Sequence, residues 1–279
     1  MHLINETQTE ILLALARFKF LTTSQLHKII RKELAWLRKQ ILYLTERERS
    51  LVEKITFGFH PRVGKLENVF FLTKLGKHTL IEVLQMEEDT VRMPVGNSSL
   101  FYKDYTHRKN TIDFHIQLYH WTQESGIELD FFDTYFDKSG NNRKDKNLRA
   151  KTKIDLDTDN YIIPDGAFTL STEGGKFLYL FEMYDGKDTK RVVGQLKKHA
   201  QAIAMGSPSI KYGFANKSNR VLSVFEHESI KDAVVGRLQR EQVFRNMPNH
   251  FLFKSLAEMN AQRMHENWRN LKGEVVGFI

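Results

Sequence analysis

The stretch EEDTVRMPVGNSSL, residues 87–100, divides the chain into two parts that follow different patterns of secondary structure. Pro94, Gly96, Asn97, Ser98 and Ser99 fall together there with no apolar periodicity, which is the composition of a connector. Before it, apolar residues recur at helical spacing and end in a short hairpin. After it, aromatic and β-branched runs alternate with helical ones. The sequence therefore predicts a chain of α+β or α/β class with two domains, residues 1–88 and 101–279, joined by a linker at 89–100. A length of 279 residues, 41% of them hydrophobic, is enough to give both a core.

Composition narrows the chemistry. With no cysteine, disulfides, thiol catalysis and thiolate zinc sites are excluded, which leaves His, Asp and Glu as metal ligands and favours a hard cation. The longest apolar runs, such as Phe177 to Phe181, are far below the roughly 20 residues of a spanning helix. The opening MHLINETQTE does not resemble a secretory signal, so the expected place is the cytoplasm, with no membrane insertion. Lys and Arg number 42 against 34 Asp and Glu, for a formal charge of +8, which suits a polyanionic partner, most simply nucleic acid.

In the first domain, Ile11, Leu12, Leu15 and Phe18 mark one helix. Thr22 followed by Gln25 is a capping box for a second, whose buried face is Leu26, Ile29 and Ile30. A third helix buries Leu34, Leu37, Ile41 and Leu44 and turns Arg38, Lys39, Gln40, Tyr43 and Arg47 outward. A strand at Leu51 to Ile55, a turn from Gly58 to Lys65 and a second strand in NVFFLTKLGKHTL complete a winged helix-turn-helix. In such a module the third helix enters the major groove and basic wing residues, here Arg62 and Lys65, reach phosphate. The competing reading is a protein-docking module.

The second domain opens with a helix at about 103–124 and a strand in IELDFFDTYF. The segment KSGNNRKDKNLRAKTK, residues 138–153, is basic and nearly free of large apolar side chains, so it reads as a mobile arm. Its Arg143, Lys144, Lys146, Arg149 and Lys151 can grip phosphates without reading sequence. Strands at 161–170 and 176–184, joined by STEGG, precede a helix from about 188 to 204. KYGFAN and RVLSVF each read as a strand, the second followed by a helix at 229–243, and HFLFKSL as a last strand before a C-terminal helix. Helix, three strands, helix, strand is the order of restriction-endonuclease-like nucleases, which build a central mixed sheet.

Phosphodiester cleavage with a hard divalent cation needs carboxylates converging beside the scissile phosphate. Asp165 and Glu182 supply two if their strands pair. Side chains alternate along a strand, so Leu180, Glu182 and Tyr184 share a face, and Tyr184 stands where the pattern PD…(D/E)xK has its lysine.

PDG at 164–166, FLYLFEMYDGKDT at 177–189 and the downstream RVLSVF and HFLFKS resemble the replication-relaxation family, which includes MobC-type relaxases of mobilisable plasmids and integrative elements. The resemblance implies a PD-(D/E)xK endonuclease-like domain that binds an origin of transfer or replication and nicks DNA with Mg or Mn held by Asp165 and Glu182. The partner expected is double-stranded DNA, with single-stranded DNA, relaxosome or replication proteins and a second copy of the chain as further candidates. The lysine's work, orienting water and stabilising negative charge, falls to Lys187 or Lys190. Tyr184 itself is a packing residue, an orienting group or a nucleophile. Accessory candidates are His107 and Asn110 at the start of the helix before the first strand, Gln195 in QLKKH, and Glu124 or Glu128 as a third metal ligand. Three functions stay open: a nickase, a non-catalytic origin-binding initiator, and a restriction-type endonuclease cutting both strands.

Overall fold

A computed structural model describes residues 4–46, 48–61, 64–94, 104–139, 149–157, 159–214 and 219–279. The chain forms two compact units, Met1–Ile116 and Gln117–Ile279. Arg47, Arg62, Arg143, Lys144 and Lys146 lie outside the described residues, as does the second half of the connector, residues 95–100.

The first unit begins with three helices, α1 (Glu6–Phe18), α2 (Thr23–Ile30) and α3 (Leu34–Thr45). Capping boxes start α1 at Asn5 and α2 at Thr22, each satisfying backbone donors that the first helical turn leaves unpaired. Ile11, Leu12, Leu15, Leu26, Leu37, Ile41 and Leu44 form the core between them. Three strands cover one side, β1 (Leu21–Thr22), β2 (Val52–Ile55) and β5 (Val69–Leu72), in the order β1-β5-β2. Between β2 and β5 the hairpin carries a second ladder, β3 (Phe59–His60) on β4 (Gly64–Lys65).

Two expectations change here. The run NVFFLTKLGKHTL is not one strand: β5 stops at Leu72 and α4 (Lys74–Leu84) follows. Thr73 causes the switch, since its hydroxyl accepts from Gly76 N–H at 3.0 Å and donates to Ser50 O at 2.8 Å. Gly76 is required at this corner, because a Cβ there would lie 2.1 Å from Leu51 O. Gln40 does not face outward. It is 1% exposed and its side-chain oxygen accepts from Asn5 Nδ2 (2.9 Å) and Gln8 Nε2 (3.0 Å), tying α3 to the start of α1. At the margin of the apolar stripe, an amide with two partners is buried at little cost.

Helix α5 (Tyr105–Ser125) begins in the first unit, where His115 packs on Phe18 and Asp113 pairs with Lys28, and ends in the second. The second unit is built on a seven-stranded mixed sheet. Its strands are β6 (Glu128–Thr134), β11 (Gly166–Thr172), β12 (Gly175–Tyr184), β13 (Asn219–Phe225), β14 (Phe251–Ser255), β15 (Trp268–Arg269) and β16 (Val275–Val276), in the order β16-β15-β14-β13-β12-β11-β6. β11 runs antiparallel to β6 and β12, while β12, β13 and β14 are parallel. The parallel pair β12–β13 is bridged by α6 (Thr189–Met205) and the short α7 (Ser207–Tyr212). With α8 (Glu228–Leu238), α6 buries one face of the sheet around Leu180, Tyr184, Leu196, Val221, Phe225 and Val234.

Several strand boundaries differ from expectation. The strand predicted at 161–170 is broken at Pro164: β10 (Tyr161–Ile162) pairs with β9 (Ile154–Asp155) in a ladder of its own, and β11 starts at Gly166. Lys211 and Tyr212 of KYGFAN end a helix that Gly213 terminates in the left-handed region. The basic segment is anchored where it is described, through β7 (Lys138–Ser139) on β8 (Arg149–Ala150) and a buried Thr152 that donates to Pro164 O. After the short helix Leu256–Ala261 the chain adds β15 and β16 rather than a long helix. Lys254, fully buried on β14, donates to Arg263 O and Met264 O beside the Trp268 ring. No described helix is long and apolar enough to cross a membrane.

Candidate functional site

Gly166 on β11 pairs with Phe181 on β12, so Asp165 and Glu182, the next residues outward, stand opposite each other at one end of the ladder. Gly166 packs closely: a Cβ there would lie 3.0 Å from the Phe132 ring and 3.3 Å from Phe181 Cβ, so the neighbours would have to give by a few tenths of an ångström. β12 continues past the end of β11, and the Asp165 carboxylate takes over the missing strand by accepting Met183 N–H at 2.8 Å. Glu182 is 1% exposed, and both of its oxygens are held by α6: Oε2 accepts from Gln195 Nε2 at 2.8 Å and Oε1 lies 2.5 Å from His199 Nε2. Burial pushes His199 down to about 4, against the opposing pull of the Asp165 charge, so the ring is neutral and donates through Nε2.

Gln195 and His199 are one helical turn apart, and Arg191 lies one turn before them on the same stripe. The Arg191 guanidinium sits 3.6 Å from where a side chain on Gly186 would begin, just past the end of β12, and its charge bears on Tyr184. Gln195 was a sequence candidate; His199 and Arg191 were not. The signal was present in RVVGQLKKH as three polar residues at intervals of four, visible only once the helix is known to cover Glu182.

Tyr184 does share the Glu182 face, but it belongs to the core. It packs on Phe225 with ring centroids 4.9 Å apart, and burial, with the Glu182 and Asp165 charges, holds its phenol well above the ordinary value. A nucleophile must be reachable and able to lose its proton, so the nucleophile role is withdrawn. Lys187 and Lys190 are exposed in the turn and at the start of α6. Glu128 is excluded as a third ligand: it pairs with Ser171 whereas Thr134 pairs with Gly166, which places it about 20 Å along the strand from Asp165. Glu124 instead bears on His265. His107 and Asn110 fall in the first unit, Asp165 and Glu182 in the second. Among the basic candidates, Lys151 is paired to Asp133 at 2.7 Å, and Arg149 is exposed on β8.

Beside Glu182, three buried polar atoms have no hydrogen-bond partner: Tyr184 Oη, His199 Nδ1 and Ser223 Oγ, the last on the β13 residue in register with Glu182. Independently of these atoms, Asp165 and Glu182 are the donor type that a hydrated hard cation takes. Among the described residues no group of three or more His, Asp or Glu is disposed to hold a metal by itself, so such a cation would keep solvent or substrate oxygens.

In the first unit the exposed side of α3 presents Arg38, Lys39, Leu42 and Tyr43, with Trp36 at its edge, and Lys65 is exposed on β4. No protein-family model matches the chain, and no curated protein or solved structure matches it.

Proposed function

We propose that the chain is a DNA-binding nickase of the replication-relaxation kind. In this reading the first unit is a winged helix that holds duplex DNA, and the second is a PD-(D/E)xK-like domain that cleaves one strand at an origin of transfer or replication. The observation that carries it is the opposed pair Asp165 and Glu182. Two carboxylates buried at the end of a sheet are costly, and apolar residues would stabilise the fold as well or better, so the pair points to chemistry. The strand order β6-β11-β12-β13 with β11 antiparallel to its neighbours supports the domain assignment. Helices α1 to α3 followed by the β2–β5 hairpin support the winged helix.

Asp165 and Glu182 would hold Mg or Mn, which when bound would polarise the phosphate and lower the pKa of an attacking water. Gln195 and His199 orient Glu182. Water bonds to phosphorus as the bond to the leaving ribose oxygen breaks, and that oxygen takes up a proton. Arg191, at the open end of the polar stripe, supplies the positive charge that the motif lysine would provide. The hydrolytic route leaves Tyr184 as a structural residue and forms no protein–DNA link.

A second reading is favoured by a specific observation: a tyrosine buried in the core replaces the lysine, and both Glu182 oxygens are already occupied. The same fold would then bind an origin without cutting it. Product topology separates the readings. Supercoiled plasmid carrying the DNA that flanks the coding sequence should give open circles with Mn or Mg and none with chelator. Linear product would indicate a double-strand endonuclease, and retained binding without cleavage an initiator.

A further inference from the structure

Phe59 is 80% exposed, more than any other large apolar side chain among the described residues. Its hairpin already has an anchor two residues earlier, where Phe57 is buried against Tyr105 with ring centroids 4.8 Å apart. The space beside Phe59 is open on the hairpin: at Gly58, just before its ladder, and at Gly64, within it, an added Cβ would meet nothing within 4 Å. A two-residue ladder accepts a polar residue at position 59 as readily, so the fold gives no reason for a phenyl ring in water. The residue in register across the ladder is Lys65, also exposed, and the same unit offers Arg38 and Lys39 on the exposed stripe of α3. An aromatic ring beside an ammonium group on a basic unit complements a base stack flanked by phosphates better than it complements an apolar protein pocket.

We propose that Phe59 is a wedge that inserts at one base step of duplex DNA held by the first unit, unstacking that step while Lys65 contacts the adjoining phosphate. The inference rests on the DNA-binding reading of this unit. Apolar side chains inserted at base steps unstack and kink the duplex, and local opening would deliver a separated strand for cleavage.

The test uses the full chain and a 40-bp duplex that the chain itself selects from a random pool, with 2-aminopurine placed at successive steps. Binding should raise fluorescence severalfold at one step. Phe59→Leu, which keeps a wedge, should preserve the signal. Phe59→Ala should lose it and bind about tenfold more weakly, with an unchanged thermal midpoint and salt dependence. Equal brightening with Phe59→Ala, or tight binding by the unaltered chain with no step brightened, overturns the wedge and leaves the DNA reading standing. Failure to retain any duplex removes both and turns Phe59 toward a protein partner.

Discussion

Glu182 on β12 and His199 on α6 meet with Oε1 and Nε2 2.5 Å apart, and neither side chain is more than 1% exposed. The contact fixes α6 over the end of the sheet and fixes the neutral His199 ring as donor. On the proposed function, it also sets the direction in which Glu182 presents its remaining lone pairs.

Arg191, rather than the nearer lysines in sequence, should carry the positive charge of the reaction. Arg191→Ala is expected to lower the nicking rate about 10²-fold, on the scale of losing one donor to a developing oxyanion. Lys187→Ala and Lys190→Ala should change it less than about threefold. Single-turnover plasmid nicking checks this, and the opposite ranking would move the charge to a lysine.

Tyr184→Phe should leave nicking within about threefold of the unaltered chain and yield no change in protein-linked DNA. Its hydroxyl is buried without a partner, so removal should be neutral or stabilising by up to about 1 kcal/mol. A DNA-linked species that disappears in this variant would restore the nucleophile.

Gly166→Ala should destabilise the second unit by about 1–3 kcal/mol, because the new methyl meets Phe132 and Phe181 in a packed layer. Denaturant unfolding measures it. An unchanged midpoint would mean that these rings move aside freely.

Much of the architecture was legible. The α1–α3 stripe, the paired strands bearing Asp165 and Glu182 and the helix after them follow from periodicity and turn residues, whereas the compact units part between Ile116 and Gln117, inside α5, where periodicity gives no break. Less legible were features decided by tertiary partners. Gln40 sits at a margin where helical angle alone allows either side, and two amides from the start of α1 decide it. Thr73 ends a strand that its apolar neighbours would have continued, because capping outweighs β propensity there. His199 and Arg191 had no motif to mark them, and their role depends on which strand α6 covers.

The exposed and buried polar residues of α3 should separate cleanly. Arg38→Ala and Lys39→Ala are each expected to reduce the slope of log affinity for DNA against log salt by about 1. Gln40→Ala should leave that slope alone and cost about 1–3 kcal/mol of stability, since it unpairs Asn5 and Gln8. Salt titrations of binding beside thermal unfolding decide it; equal slopes for all variants would take DNA off this face.

Lys254 gives the fold a pH signature. Burial lowers its pKa from 10.5 to about 8, so between these values the unfolded chain binds more protons than the folded one. Stability should therefore rise from pH 8 toward pH 9, by about 1 kcal/mol, below the range where the unfolded chain's tyrosines ionise, and Lys254→Met should flatten the rise. Urea midpoints across that range test it, and a fall with pH in the unaltered chain would contradict it.

The central claim, that Asp165 and Glu182 form a metal-dependent site for cutting one strand, is tested most directly by the rate at which supercoiled plasmid carrying the flanking DNA becomes open circles at saturating Mn. The unaltered chain should nick, chelator should stop it, and Asp165→Asn should slow it at least about 10²-fold while DNA affinity stays the same. Equal rates for the chain and Asp165→Asn, or tight binding with no cleavage under either metal, would contradict the claim and leave a DNA-binding initiator.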